Sequence, residues 1–107
     1  MRPPYAEINL KNLQFNYQQI KNKTKRKVIA VVKADAYGHG MIECVKALKS
    51  VNNPPDYYAV ALIEEAVELR KAKFTNEPII CFAPFDKTEI ETYLTYNITA
   101  TINCIDQ

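Results

Sequence analysis

Four short apolar runs recur along this chain, beginning at Val28, Tyr57, Pro78 and Ile98, and each gap between them holds a segment with helical spacing. This alternation limits the fold more than any other feature. Strands that alternate with amphipathic helices form a parallel sheet of right-handed βαβ units. The spacing predicts strands over Val28–Lys33, Tyr57–Ala61, Pro78–Phe82 and Ile98–Ile102. Val28 to Val32 is continuously apolar, as in a strand buried on both faces. A closed (β/α)8 barrel takes roughly 250 residues. The 107 residues here hold three βα units and a fourth strand, half of such a barrel. A small open doubly wound sheet is the alternative reading of the same pattern.

The intervening segments carry their own signals. A first strand over Tyr5–Leu10 precedes a helix from about Lys11 to Ile20, with Asn9 as N-cap and Leu10, Leu13, Tyr17 and Ile20 as its stripe. The next helix, about His39 to Lys49, places Met41, Cys44, Val45 and Leu48 on one face. Asn52-Asn53-Pro54-Pro55-Asp56 is a breaker. A helix over Leu62–Lys73 buries Leu62, Ile63, Ala66, Val67 and Leu69. Its acids Glu64, Glu65 and Glu68 come early and its bases Arg70, Lys71 and Lys73 late, which complements the helix dipole. Asp86-Lys87-Thr88-Glu89 resembles a capping box and opens a helix carrying Ile90, Tyr93 and Leu94.

Chemistry concentrates at one junction. Both glycines and the one histidine lie in Ala30-Val31-Val32-Lys33-Ala34-Asp35-Ala36-Tyr37-Gly38-His39-Gly40. Lys33 ends the apolar run. A lysine held at the mouth of an apolar core loses water, becomes less basic and turns nucleophilic toward carbonyls. A strand-end lysine that extends its head to solvent is the plainer alternative. Gly38 and Gly40 permit positive φ and close approach to a ligand. A helix start near His39 would offer N–H groups to an anion. Neither the P-loop nor the dinucleotide-binding glycine pattern is present.

This stretch resembles the cofactor-lysine motif of bacterial alanine racemases. Two flanks support the resemblance: Tyr5-Ala6-Glu7-Ile8-Asn9-Leu10 with Asn16, and Ala59 to Arg70. It covers nearly the whole chain but only the first third or so of a complete racemase. It implies an α/β fold, the N-terminal half of a (β/α)8 TIM-type barrel with parallel strands alternating with helices, and residues 1–107 as a partial N-terminal barrel domain without the C-terminal β-domain. It implies a pyridoxal 5'-phosphate-dependent amino-acid racemase that interconverts L- and D-alanine for peptidoglycan precursors, working as a homodimer.

The resemblance assigns site residues one by one. Lys33 is the Schiff-base lysine and the acid or base on one face of the substrate Cα. Tyr37 hydrogen-bonds the cofactor phosphate. Val31 and Phe82 fall at apolar pocket-lining positions. His39 has a structural role at the helix start, and Asp35 stands where many members have asparagine. The opposite-face tyrosine base belongs to the C-terminal domain of the second subunit, so the segment alone is expected to be inactive. Other readings are a racemase for another small amino acid such as serine, a pyridoxal phosphate-binding module, or a non-catalytic βα fragment.

Charge and cysteine content exclude other classes. A net charge of +2 argues for neither nucleic acid nor membrane as a partner. The basic run Lys21–Lys27 reads as a solvated loop. Cys44, Cys81 and Cys104 lack metal-ligand spacing, so no metal is expected; Cys44 and Cys81 read as core residues of a reducing compartment. No apolar run suits a signal peptide or a membrane span, and the cytoplasm is the expected location. Half a barrel leaves two sheet edges unpaired, so the isolated segment is expected to associate through those edges or to fold poorly.

Overall fold

The computed structural model describes residues 9–37 and 40–102, with only the backbone of Tyr37. Most of the expected first strand, the side chain of Tyr37, Gly38, His39 and Cys104 lie outside the described residues. Four strands, β1 (Ile29–Val31), β2 (Tyr57–Val60), β3 (Ile79–Pro84) and β4 (Thr99–Thr101), form one sheet in the order β1-β2-β3-β4. All three pairings are parallel: Ala30 lies beside Tyr58, Tyr58 beside Ile79, and Ile80 beside Thr99.

The strand order separates the two candidate architectures. A doubly wound sheet reverses direction at a switch point, whereas a barrel lays its strands down in chain order. Here the order never reverses. Right-handed crossovers then place every connecting helix on the same face. Burial agrees. Tyr58, Val60, Ile79 and Cys81 are buried, while Ile29, Val31, Tyr57 and Phe82 on the opposite face are 50, 38, 38 and 42% exposed. Val28 to Val32 is therefore not buried on both faces. Helices cover one side of β1, and among the described residues nothing covers the other. Ala59 is inaccessible because its small side chain lies between the β1 and β3 neighbours Val31 and Ile80.

Helix α1 (Leu10–Thr24) begins where Asn9 Oδ1 accepts from Asn12 N at 3.0 Å, the expected cap. Leu10 is already helical, so the first strand cannot reach it. The helix outruns Ile20 and takes in the first half of the basic run; Lys25 closes it in the left-handed conformation. Tyr17 is buried, but Ile20 is exposed. Helix α3 (Met41–Lys49) packs on α1 and buries Met41, Cys44, Val45 and Leu48, the predicted stripe.

Helix α4 (Ile63–Lys71) starts one residue later than its pattern suggested. Leu62 becomes the N-cap residue in extended backbone and is exposed, not buried; Val67 is half-buried. Asp86 caps a 3-10 turn, Lys87–Glu89, by accepting from Thr88 N at 3.0 Å, and α5 (Ile90–Tyr96) follows. Of its three apolar residues only Tyr93 is buried, packed edge-on against Phe85 at 5.1 Å; Ile90 and Leu94 are exposed.

The lower end of the sheet, where strands begin, is tied by side chains. Arg70 is the case that composition hid. Its place late in α4 suits the helix dipole, and it is also buried. Its guanidinium donates to the carbonyls of Phe74 (2.8 Å), Glu77 (2.6 Å), Tyr96 (2.8 Å) and Asn97 (3.0 Å). One planar fork thus closes the end of α4, the entry to β3 and the entry to β4. Nearby, Lys49 pairs with Glu77 at 3.4 Å and lies over the Phe74 ring.

Candidate functional site

Lys33 stands two residues beyond β1, at the end of the sheet where strands finish and barrel sites form. It is half-buried. It opens a one-turn element, α2 (Lys33–Tyr37), whose hand is inverted. Ala34, Asp35 and Ala36 have φ of 51, 55 and 56° with ψ of 49, 42 and 45°, three consecutive residues in the left-handed region. Left-handed helix costs L-residues about 1–2 kcal/mol each, and alanine has no side-chain bond to offset it.

Hydrogen bonds from its own backbone and from two carboxylates hold the turn. Ala36 N donates to Val32 O at 2.8 Å and Gly40 N to Asp35 O at 2.9 Å. Glu65 Oε2 accepts from Ala34 N at 2.7 Å, and Asp35 Oδ1 accepts from Met41 N at 2.7 Å. The last two are charge-assisted, worth about 1.5–3 kcal/mol each, comparable to the cost of three inverted residues.

Glu65 and Asp35 were not recognised as site-forming residues from sequence. Glu65 stands at the third position of α4 and its Oε1 also accepts from Ala61 N and Leu62 N, both at 2.9 Å. That is the glutamate half of a capping box. Leucine in place of the usual polar N-cap obscured it. Asp35 tolerates left-handed backbone better than most residues.

Asp35 also corrects the expected anion site. Helix α3 begins at Met41, not His39, and the Asp35 carboxylate already bonds its first N–H. A carboxylate there repels a phosphate, so the α3 start is not where one would bind. Gly40 precedes it at φ 91°, a conformation that favours glycine.

Of the predicted residues, Val31 and Phe82 share the open apolar face of the sheet, near the end that carries Lys33. Tyr37 follows Lys33 by one turn, and its phenol lies outside the described residues. Cys44 and Cys81 are buried, as expected of core residues, and burial raises the Cys44 pKa above the usual thiol range. Among the described residues no cluster of three or more His, Cys, Asp or Glu is arranged for a metal, and no helix is long and apolar enough to cross a membrane. A cleft of about 540 Å3 runs between α1 and the edge of β1 that is unpaired among the described residues, lined by Leu13, Tyr17, Val28, Ala30 and Cys44 among others. Its lining also takes in Val31, Val32 and Ala36, which flank Lys33 along the chain, though not Lys33 itself.

The family profile described as alanine racemase, N-terminal domain, matches residues 8–107. The alanine racemase of Clostridium tetani is 46% identical over 103 residues, which are 95% of this chain and 26% of that protein. A solved alanine racemase structure from Clostridium difficile 630 superposes with a TM-score of 0.81 at 39% identity, over 95% of this chain and 27% of that one. An alanine racemase from Bartonella henselae, solved with covalently bound pyridoxal phosphate, superposes with a TM-score of 0.76 at 26% identity, over 87% of this chain and 26% of that one. The chain thus spans about a quarter of the length of the relatives it matches.

Proposed function

Because this chain belongs to the alanine racemase N-terminal domain family, we propose that it supplies the cofactor-lysine side of an alanine racemase site, the first half of a barrel domain whose remaining strands and C-terminal β-domain complete the enzyme. The observation that carries this reading is Lys33, half-buried at the strand-end mouth on a backbone turn held in an unfavourable conformation. Such strain persists only where the surroundings over-determine it, and it clusters at functional sites.

The residues present suit pyridoxal 5'-phosphate. A primary amine meets its aldehyde, and the apolar face bearing Val31 and Phe82 suits a flat ring. Lys33 would hold the group covalently. By resemblance, Tyr37 would donate its phenol proton to the phosphate. When bound, the cofactor supplies an electron sink for the pair left behind as the substrate α-proton departs. Once the substrate amine displaces it from the group, the freed Lys33 Nζ would take or return that proton on one face of the Cα. Racemisation also needs a group on the other face, which by resemblance is a tyrosine of a second subunit. L- and D-alanine are the proposed substrates and a homodimer the proposed assembly.

Exposure to pyridoxal phosphate followed by borohydride reduction and peptide mapping tests the reading. Lys33 should be modified ahead of every other lysine, and Lys33→Ala should remove that site alone. Equal labelling of all lysines would refute it. The 107-residue chain alone should show no D-alanine formation in a D-amino-acid oxidase assay, and turnover by it would refute the two-sided scheme.

A further inference from the structure

We propose that Glu65 is a positioning residue for Lys33, an inference that rests on the reading of Lys33 as the cofactor lysine. The argument is geometric. The N–H that Glu65 Oε2 accepts, at 2.7 Å, belongs to the peptide joining Lys33 to Ala34. Fixing that peptide plane fixes the rotation about the Lys33 Cα–C bond, and so the direction in which the chain leaves the lysine. The same bond restrains the first of the three left-handed residues. The other oxygen, Oε1, accepts from Ala61 N and Leu62 N at 2.9 Å in the next strand-to-helix loop. One carboxylate therefore spans two loops at the mouth of the sheet and sets the lysine turn relative to β2.

The division of labour between the two oxygens makes the role separable from helix capping. Ala34 is exposed, so water can satisfy its N–H if Glu65 lets go; what is lost is orientation more than stability. In Glu65→Gln one oxygen becomes an NH2 donor. The remaining oxygen is better placed against the two donors of Ala61 and Leu62. The NH2 then faces Ala34 N–H, donor against donor, and the tie to the lysine turn breaks while the cap stays.

The test measures covalent attachment of pyridoxal phosphate to the chain. Lys33 condenses with the aldehyde, releasing water, and borohydride reduces the C=N bond to a stable amine that peptide mapping locates. Glu65→Gln should slow Lys33 labelling at least tenfold, leave the other lysines unchanged as internal controls, shift the melting temperature little, and remove hydrogen-exchange protection at Ala34 N–H. Wild-type labelling of Lys33 in Glu65→Gln overturns the proposal. Should Glu65→Gln not fold, Glu65→Ala with Leu62→Asp restores a side-chain cap without the tie. Slow Lys33 labelling in that folded variant supports positioning, and full recovery alongside the melting temperature overturns it. Lys33 without preference in the wild type, with Ala34 N–H still protected, would sink the cofactor-lysine reading while leaving the backbone tie in place.

Discussion

The two ends of the sheet use the same device for opposite purposes. At the end where strands begin, Arg70 gathers four carbonyls from three segments. At the end where strands finish, Glu65 gathers three N–H groups from two loops. The backbone they hold differs. Lys25, Lys73 and Asn97 are the left-handed residues of the lower end, each single and each following a helix, where one inverted residue is ordinary. At the upper end Ala34, Asp35 and Ala36 are inverted in succession, and two are alanines. Arg70 secures relaxed structure, whereas Glu65 and Asp35 secure strain beside the one lysine to which a chemical role is assigned. With Lys33 as the proposed cofactor lysine, this is the division between stability at one end and chemistry at the other that a barrel leads one to expect.

The largest effect should come from breaking the lower clamp. Arg70→Ala strands four carbonyls and empties a buried volume, so the chain should lose about 3 kcal/mol or more. Urea denaturation measures it. Arg70→Lys should recover only part, because an ammonium cannot reproduce the planar fork. If the two ends are independent, Ala34 N–H in the folded fraction should keep its hydrogen-exchange protection. Loss of protection there would show that the clamp also supports the upper turn.

Relieving the upper strain should change stability in the other direction. Ala34 is exposed and at φ 51°, so Ala34→Gly removes the left-handed penalty without opening a cavity. Glycine's extra unfolded-state entropy offsets part of the gain, leaving a stabilisation of up to about 1 kcal/mol. Asn97→Gly at the lower end should change stability by only a few tenths of a kcal/mol, since asparagine already suits its place. A thermal melt of both variants compares the ends directly. Destabilisation by Ala34→Gly would mean that alanine stiffens the turn more than it strains it.

This contrast explains what the sequence could disclose. Local patterns were legible: the Asn9 cap, the Met41–Leu48 stripe, the four strands implied by regular spacing, and Lys33 at the end of an apolar run. Features that depend on distant partners were not. Arg70 showed only as a late helix base because its carbonyl partners at Tyr96 and Asn97 lie 26 and 27 residues onward. Glu65 looked like one of three early acids because its tie to Ala34 crosses 31 residues. The left-handed turn runs against alanine's own preference, so no propensity argument could find it. Ile29 and Val31 read as doubly buried because periodicity records apolar character and not whether a neighbour covers that face.

The smallest expected effect concerns pH and belongs to the lower end. Asp56 Oδ2 accepts from Val28 N at 2.7 Å and pairs with Lys21 Nζ at 3.3 Å, joining the entries of β1 and β2 to α1. The Val28 N–H, helped by the Lys21 hydrogen bond and charge and opposed by desolvation, holds the Asp56 carboxyl below the usual carboxylate range. A group whose folded pKa is depressed contributes stability that is complete above its unfolded value, about 3.9. That contribution disappears as pH falls through the folded value. Asp56→Asn keeps an acceptor for Val28 but loses the charge, so its urea midpoint should lie slightly below wild type at pH 7. The two midpoints should converge as the pH falls below about 4. Because the leading cause is a backbone N–H and not the half-buried lysine, most of the gap should survive 1 M salt, which weakens the Lys21 pair. A gap that vanishes in salt at pH 7 would assign the effect to Lys21 instead, and would make this contact a surface ion pair unlike the Arg70 clamp beside it.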